Sequence, residues 1–175
     1  MKNLVSILLL FAFSNTSTAL NDTYYSVGVG SMFLENYGYN GPTSYRYQPL
    51  TFIGVSAGKE FDSNLRAEVG FTTGVSGEIE KGRYSSDSFD YKSLSIMSIY
   101  KGEGSAHLRL KVGLSYSVFD HPSEIESQNW VPAKEAINFA YGLGYGFNTS
   151  SGKEFVIEVS QMVEKVTSLN FNINF

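Results

Sequence analysis

The residues of this sequence best suited to acid–base chemistry are its two histidines, because histidine titrates near neutral pH. His121 stands in the segment "DHPS", with Asp120 and Ser123 beside it. Adjacency in sequence does not supply the geometry of a catalytic triad, and Pro122 turns the chain where a strand would be wanted. His107 opens a segment just after a short turn, where we expect a solvated side chain. We therefore expect no enzymatic activity from either histidine.

The composition also limits the other kinds of site. The 175 residues contain no Cys and only two His, so a Cys/His metal cluster is not expected. The sequence contains neither a phosphate-binding loop nor a dinucleotide fingerprint. The formal net charge is −4, which gives no basic surface for nucleic acid. We expect no cofactor, no metal and no nucleic acid partner.

Alternation of apolar and polar residues is the main structural signal, and it indicates strands. Eight segments alternate in this way, and they cover residues 25–33, 53–57, 65–75, 94–100, 108–118, 137–147, 155–163 and 169–175. Phe52 and Met97 fall out of phase, which predicts bulges in the second and fourth segments. Val163 continues the apolar phase of the seventh segment.

The volume of a barrel decides which phase faces outward. Eight strands enclose an interior just wide enough for side chains to fill, so the many Phe, Tyr, Leu, Ile and Val residues cannot all point inward. The opposite phase is mostly Gly and Ser with a few charges, which fits a narrow interior. This argues against the competing class, a soluble periplasmic lipocalin-like barrel with an apolar lumen. The predicted fold class is all-β, an eight-stranded antiparallel up-and-down transmembrane β-barrel.

The first residues are typical of a secretory signal peptide. Lys2 precedes an apolar run from Leu4 to Phe13, and "STA" at 17–19 supplies the small residues of a cleavage site. The run is shorter than the about 20 residues of a membrane-spanning helix. We expect residues 1–19 to be removed and residues 20–175 to form the barrel in a Gram-negative outer membrane.

Charged residues in the inward phase predict a network of ion pairs in the lumen, since an unpaired buried charge is costly. They lie near the short-turn ends of the third, fifth and seventh segments, and the set is Arg66, Glu68, Arg109, Lys111 and Glu158, with Glu154 in addition. A polar plug that keeps the barrel closed is favoured over a gated ion path, because eight strands leave no room for a wide channel.

Three long connections follow the first, third and fifth segments, and loops on a rigid scaffold usually carry function. We expect exposed aromatic residues there, either as contacts for an external partner or as an upper aromatic girdle; these are Tyr37, Tyr39, Tyr45, Tyr47 and Trp130. Four cations near the same rim could bind lipopolysaccharide phosphates or could be ordinary solvated charges; these are Arg46, Lys81, Arg83 and Lys134.

The final segment, "SLNFNINF", places apolar residues on one face and Asn on the other, and it ends on Phe175. With the signal peptide, eight strands and long connections at one end, the chain resembles the small outer-membrane barrels of the OmpA/OmpX/Ail type. That resemblance implies that Phe171 and Phe175 form the signal read by the barrel-assembly machinery. It also implies an internal ion-pair network. Contact with outer-membrane lipid is expected from the apolar outer face, and contact with lipopolysaccharide from the rim cations. The His-x-Ser of "DHPS" is similar, in two residues only, to the outer-membrane lipid A deacylases.

From these observations we expect a monomer whose surface loops bind an extracellular ligand, in adhesion or a host or envelope contact, rather than transporting solutes. A purely structural envelope protein is the alternative. A lipid A-modifying enzyme is a weaker one.

Overall fold

The computed structural model describes residues 23–34, 37–83, 85–126, 128–164 and 166–175. The signal peptide expected at residues 1–19 lies outside the described residues. Eight strands close into an antiparallel barrel. They are β1 (Thr23–Leu34), β4 (Leu50–Glu60), β5 (Leu65–Ser76), β8 (Asp90–Lys101), β9 (Ala106–Asp120), β10 (Glu135–Asn148), β11 (Glu154–Val163) and β12 (Val166–Asn174). The predicted eight strands are therefore confirmed.

The barrel strands follow one another in chain order, and β12 pairs with β1 to complete the ring. The last residue takes part in this closure, because Phe175 N donates to Tyr25 O at 2.8 Å and Tyr25 N donates to Phe175 O at 3.3 Å. Three short turns join the strands at this end, and Gly104 and Gly152 adopt positive φ in two of them. We call this the short-turn end and the opposite one the long-loop end.

Alternation places the apolar phase on the outside of the wall, as predicted. Val27, Leu114 and Leu143 are each more than half exposed, whereas Ser26, Ser115 and Ser160 are buried in the interior. Glycine lets large inward side chains fit: a Cβ on Gly113 would lie 2.8 Å from Met97 Cα and 2.9 Å from its Sδ. The barrel thus turns an apolar surface outward and keeps small polar groups within.

The irregularities of the ladder differ in part from prediction. A register shift does occur at Thr51 and Phe52, where β4 pairs with β5. Met97 is different, because β8 pairs without a shift and Met97 simply points inward. A shift between Gln161 and Val163 in the β11–β12 ladder turns Val163 to the interior, so its predicted outward placement was wrong.

Four more strands lie in the long connections, and the sequence pattern did not predict them. They are β2 (Tyr37–Asn40), β3 (Thr43–Tyr47), β6 (Glu78–Lys81) and β7 (Ser85–Ser88), and they form a separate sheet in the order β2-β3-β6-β7. The first and second long connections therefore fold together as one sheet, which we call the cap sheet.

Candidate functional site: the closed lumen and its cap

Glu154 is the centre of an ion-pair layer near the short-turn end of the lumen. Its Oε2 lies 2.5 Å from Arg66 Nη1 and accepts from Asn174 Nδ2 at 2.8 Å. Its Oε1 lies 2.6 Å from His107 Nε2 and 3.0 Å from Arg109 Nη1. The contact with Arg109 is electrostatic, since Nη1 is not aligned for a hydrogen bond. One carboxylate thus joins four strands of the wall.

Lys111 connects the other two buried carboxylates. Its Nζ lies 2.9 Å from Glu68 Oε1 and 3.6 Å from Glu158 Oε1. Tyr24 Oη donates to Glu68 Oε2 at 3.1 Å, and Asn170 Nδ2 donates to Glu158 Oε1 at 3.3 Å. Glu68 is therefore contacted at both oxygens, and Oε1 of Glu158 has two polar neighbours, which compensates the burial of these charges.

The charges of this layer balance. Arg66, Arg109 and Lys111 give +3, and Glu68, Glu154 and Glu158 give −3, so the six sum to zero. Arg66 also pairs with Glu60 at the rim of the layer. The structure thus brings all five residues proposed for the lumen network into one place, together with Glu154.

His107 belongs to the same layer, which corrects the sequence interpretation. We expected a solvated side chain, but His107 is buried. Its ring lies between the Glu154 carboxylate and the backbone oxygen of Gly104, which is 3.2 Å from Nδ1. Both ring nitrogens of His107 thus lie within hydrogen-bond distance of an oxygen, Nε2 of Glu154 Oε1 and Nδ1 of Gly104 O. The sequence signal was its phase: His107 alternates in step with Arg109 and Lys111.

Above the ion pairs the lumen contains a small cavity of about 60 Å³. Its lining combines Gly, Ser and Asn residues and the charged Glu68, Lys111 and Glu158 with the larger side chains of Met32, Phe52, Tyr91 and Met162. A space of this size holds only a few water molecules, each of which needs about 10–15 Å³ measured in this way.

Apolar side chains fill the long-loop end of the barrel. They form one buried cluster that runs from the strand ends into the loops and comprises Met32, Leu34, Tyr45, Tyr47, Leu50, Phe52, Ile79, Phe89, Tyr91, Phe119, Ile125, Val163 and Val166. Trp130, Val131 and Met162 pack against it. The cap sheet therefore continues the interior of the barrel and closes its mouth.

This burial changes the roles expected for the loop aromatics. Tyr45 and Tyr47 are 2% and 4% exposed, so the expectation that they offer an exposed contact surface was wrong. Trp130 is half-buried against Tyr45, with ring centroids 5.9 Å apart. Tyr39 faces outward and is 58% exposed. Tyr37 lies in β2, and the placement of its side chain is outside the described part of the structure.

His121 packs among aromatic residues of the buried cluster at the long-loop end, which together with the cap sheet we call the cap. Its ring stacks on Phe119 at 5.3 Å between centroids and on Phe89 at 6.2 Å. Nε2 lies 3.2 Å from Pro132 O and must donate to it, so Nδ1 accepts from Tyr47 Oη at 3.0 Å. Burial lowers the pKa of His121 and raises that of Tyr47. Both ring nitrogens are thus engaged, and Ser123 is exposed.

Two of the rim cations hold the third long connection in place. Lys81 Nζ lies 2.5 Å from Glu124 Oε1, and Lys134 Nζ lies 3.2 Å from Glu126 Oε1. These bonds raise the pKa of both lysines, and the bond from Lys81 lowers that of Glu124. Arg46 and Arg83 are exposed.

The two aromatic residues of the proposed assembly signal lie on the outer wall. Phe171 and Phe175 are 50% and 54% exposed, and Lys153 Nζ lies 5.3 Å from the centroid of the Phe175 ring. Phe175 is at the short-turn end, beside the seam between β12 and β1.

Three solved structures of outer-membrane or surface proteins share this architecture. The outer membrane protein OprG from Pseudomonas aeruginosa superposes with a TM-score of 0.58 at 11% identity, over 88% of this chain and 96% of that chain. Neisserial surface protein A gives 0.54 at 14% identity, over 87% and 95%. Ail, the attachment invasion locus protein of Yersinia pestis, gives 0.50 at 15% identity, over 87% and 95%. The predicted fold, that of the small transmembrane barrels, is confirmed.

The sequence itself matches no protein-family model and no curated protein. Across the described residues, no helix has the length and apolar character needed to cross a membrane.

Proposed function

We propose that this chain is a small outer-membrane surface protein that keeps its lumen closed and binds an external partner through its long-loop end. The observation that carries the proposal is the closure of the lumen at two levels. The ion-pair layer around Glu154 crosses one end, and the apolar cluster around Tyr47 and His121 fills the other. Among the described residues these two levels fill the lumen near both ends, which supports a closed barrel rather than a solute path.

The outer-membrane location is supported by the surface of the wall. Side chains such as Ile53, Val112 and Phe155 are between 44% and 49% exposed, and a closed barrel leaves no unpaired strand edge where it is complete. Such a surface is stable in lipid rather than in water. Outer-membrane lipid and lipopolysaccharide are then its surroundings, and the short-turn end faces the periplasm.

Contact with a partner is assigned to the outward face of the cap sheet. Tyr45, Tyr47 and Ile79 turn to the interior, so the alternate residues of β2, β3 and β6 turn outward. Tyr39, Arg46 and Glu80 are exposed on that face, and Arg46 lies opposite Glu80 in the ladder. An aromatic ring beside mixed charges is the kind of surface that anchors a protein contact.

The experiment replaces the outward face without disturbing the inward one. A triple variant Tyr39→Ser, Arg46→Ser, Glu80→Ser should lose binding of cells to host matrix or to neighbouring cells while the barrel remains folded. Glu103→Ser, in an exposed turn at the short-turn end, is the control and should bind as the unmodified chain does. Unchanged binding by the triple variant, together with a leaky envelope when the whole protein is deleted, would favour a purely structural role.

Catalysis is the remaining alternative, and the geometry of His121 opposes it. A general base needs a ring nitrogen within hydrogen-bond reach of an accessible nucleophile, and Tyr47 is buried. In this cap the two nitrogens are bonded to Tyr47 and to the Pro132 carbonyl. We therefore assign His121 to the packing of the cap.

A further inference from the structure

The wall between β10 and β11 is incomplete toward the long-loop end. Pairing of these strands begins at the short turn, with Asn148 opposite Glu154, and stops at Tyr141 opposite Gln161. Strand β10 continues to Glu135 and stays paired with β9 throughout, up to Glu135 opposite Val118. Within the described part of the chain, no strand pairs with the other side of residues 135–140. We call this side the β10 edge.

The direction of the backbone groups can be read from the β9–β10 ladder. Phe119 N donates to Lys134 O at 2.8 Å, and at the other end Asn148 N donates to Ser105 O at 2.7 Å. In an antiparallel pair the bonded positions alternate, so even-numbered residues of β10 bond to β9. The N–H and C=O groups of Ile137 and Phe139 therefore point away from β9, along the β10 edge.

The end of β11 explains why the edge is open. After Gln161 the β11–β12 ladder shifts register, and Val163 turns into the interior. Met162 leaves the wall with it: Ser115 Oγ on β9 donates to Met162 O, and Met162 packs against Met97, Ile99 and Ala140 inside the barrel. The chain that would have covered the β10 edge covers the inner face of β10 instead.

The outward side chains along the edge are strongly exposed. Ile137 is 75% exposed and Phe139 is 63% exposed, above the other outward apolar residues of the wall. The Tyr141 ring lies 6.2 Å from that of Phe139, and its Oη donates to Gln161 Oε1 at 2.6 Å at the base of the opening. A segment bound at the β10 edge would therefore contact the apolar side chains of Ile137 and Phe139. It would lie beside their backbone groups, which pair with no described strand.

The height of the β10 edge along the membrane normal follows from strand geometry. A strand tilted by about 40° climbs about 2.5 Å per residue, which puts Phe139 about 23 Å and Ile137 about 28 Å above Asn148. The apolar band of such a barrel is about 25 Å tall. The edge thus spans the outer boundary of the membrane, where backbone groups left against hydrocarbon would each cost several kcal/mol.

We propose that the β10 edge accepts an extended polypeptide segment of a partner protein as an added strand. A peptide strand can pair with the edge, because it has alternating backbone donors and acceptors and can place apolar side chains on one face. A lipid chain has no such donors and acceptors. A second copy of the barrel does not fit, since a two-fold axis along the membrane normal would cross the two β10 strands at about 80°. The partner segment must be free to adopt the tilt of β10. This deepens the proposed function by naming the kind of partner, and it rests on that function only for the position of the membrane.

The test uses the whole chain in detergent micelles, so it does not depend on the cap-sheet experiment or on membrane location. The probe is a synthetic peptide SLNFNINF, a sequence that already forms an alternating strand in this fold. The control is the same peptide N-methylated at alternate residues, which keeps the side chains and removes the donors of one edge. The readout is amide hydrogen exchange at Ile137 and Phe139, compared with Tyr141 and Leu143.

Without peptide, Ile137 and Phe139 should exchange at least tenfold faster than Tyr141 and Leu143. The unmodified peptide should slow their exchange at least tenfold, and the methylated peptide should not. Equal protection before any peptide is added would overturn the inference, because the edge would then be closed. Absence of any added protection at saturating peptide would also overturn it.

A pair of proline variants gives an independent measurement. Ile137→Pro removes an N–H that faces the open edge, so the barrel should fold as before and no longer bind the peptide. Ala136→Pro removes an N–H bonded to β9 and should lower the yield of folded barrel. If Ile137→Pro is as damaging as Ala136→Pro, then the edge N–H already has a partner and the inference is wrong.

Discussion

Arg66 and Glu154 meet across the full width of the lumen, with Nη1 and Oε2 2.5 Å apart. Their strands, β5 and β11, stand four positions apart in the ring of eight, which is as far apart as two strands can be. The pair therefore ties opposite walls together. Lys111 on β9 lies between them and reaches Glu68 on β5 and Glu158 on β11. At this level the interior is crossed by ion pairs that connect β5, β9 and β11.

Removal of the central carboxylate should be strongly destabilising. Glu154→Ala leaves the Arg66 and Arg109 cations buried without their shared partner, and the loss of one member of a buried ion pair costs about 3–5 kcal/mol. We expect a loss of that size in the free energy of unfolding, measured by urea titration in lipid vesicles. Glu103→Ala, in an exposed turn, is the control and should change stability by less than about 0.5 kcal/mol. An equally small effect of both variants would mean that the ion pairs of Glu154 are solvated.

The cap should weaken in mild acid. Burial lowers the pKa of His121 below the about 6.5 of an exposed histidine. The opened cap then binds the proton more tightly than the closed one, so stability is full above about pH 6.5 and falls as the pH drops below it. The charged groups around His121 are Asp120, Glu126 and Lys134.

Protease sensitivity of the long-loop end measures this effect between about pH 7.5 and 5.5. His121→Gln, which does not titrate, should be less stable at neutral pH but should show a flat profile over that range. A flat profile for the unmodified chain would contradict a buried neutral His121.

Packing of the cap on Gly38 gives a third prediction. A Cβ on Gly38 would lie within 2.1 Å to 2.4 Å of ring atoms of Trp130, so Gly38→Ala must displace that ring. Trp130 is the single tryptophan of the chain, and its fluorescence therefore reports on the cap alone. We expect the emission to shift to longer wavelength in Gly38→Ala and to stay unchanged in Ser86→Ala. An unshifted spectrum in Gly38→Ala would show that Trp130 does not pack on β2.

Much of the fold was predictable because alternation is a property of a strand by itself. Val27, Leu114 and Leu143 were placed on the outer wall by phase and volume alone, and Arg66, Glu68 and Arg109 were placed in the lumen by the same phase. Phase could not predict that Val163 points inward, because a single bulge moves the following side chains to the opposite face of the strand.

The cap was beyond such reasoning, since it depends on contacts between segments far apart in the chain. Tyr47 on β3 is buried only because Phe89, His121 and Trp130 come from two other connections to meet it. Nothing in the local pattern around Tyr47 separates a buried ring from an exposed one. The predicted contact surface was for this reason assigned partly to residues that form the core of the cap.

The terminal ring gives a fourth prediction. Deletion of Phe175 removes two backbone hydrogen bonds at the β12–β1 seam along with the exposed ring that we propose as part of the assembly signal. We expect less folded barrel in the outer membrane at equal expression, with export unaffected. Phe155→Leu, another exposed aromatic at the same end, is the control and should assemble normally. Normal assembly of the deletion would remove Phe175 from the signal.

The most direct test of the account is where the folded chain resides and how it behaves when unheated. An apolar wall closed by hydrogen bonds should keep the protein in the detergent-extracted outer-membrane fraction after washing with carbonate and urea. The unboiled sample should migrate faster in gel electrophoresis than the boiled one, because the barrel stays folded in detergent. Release with the periplasmic fraction, or identical migration before and after boiling, would contradict an outer-membrane barrel.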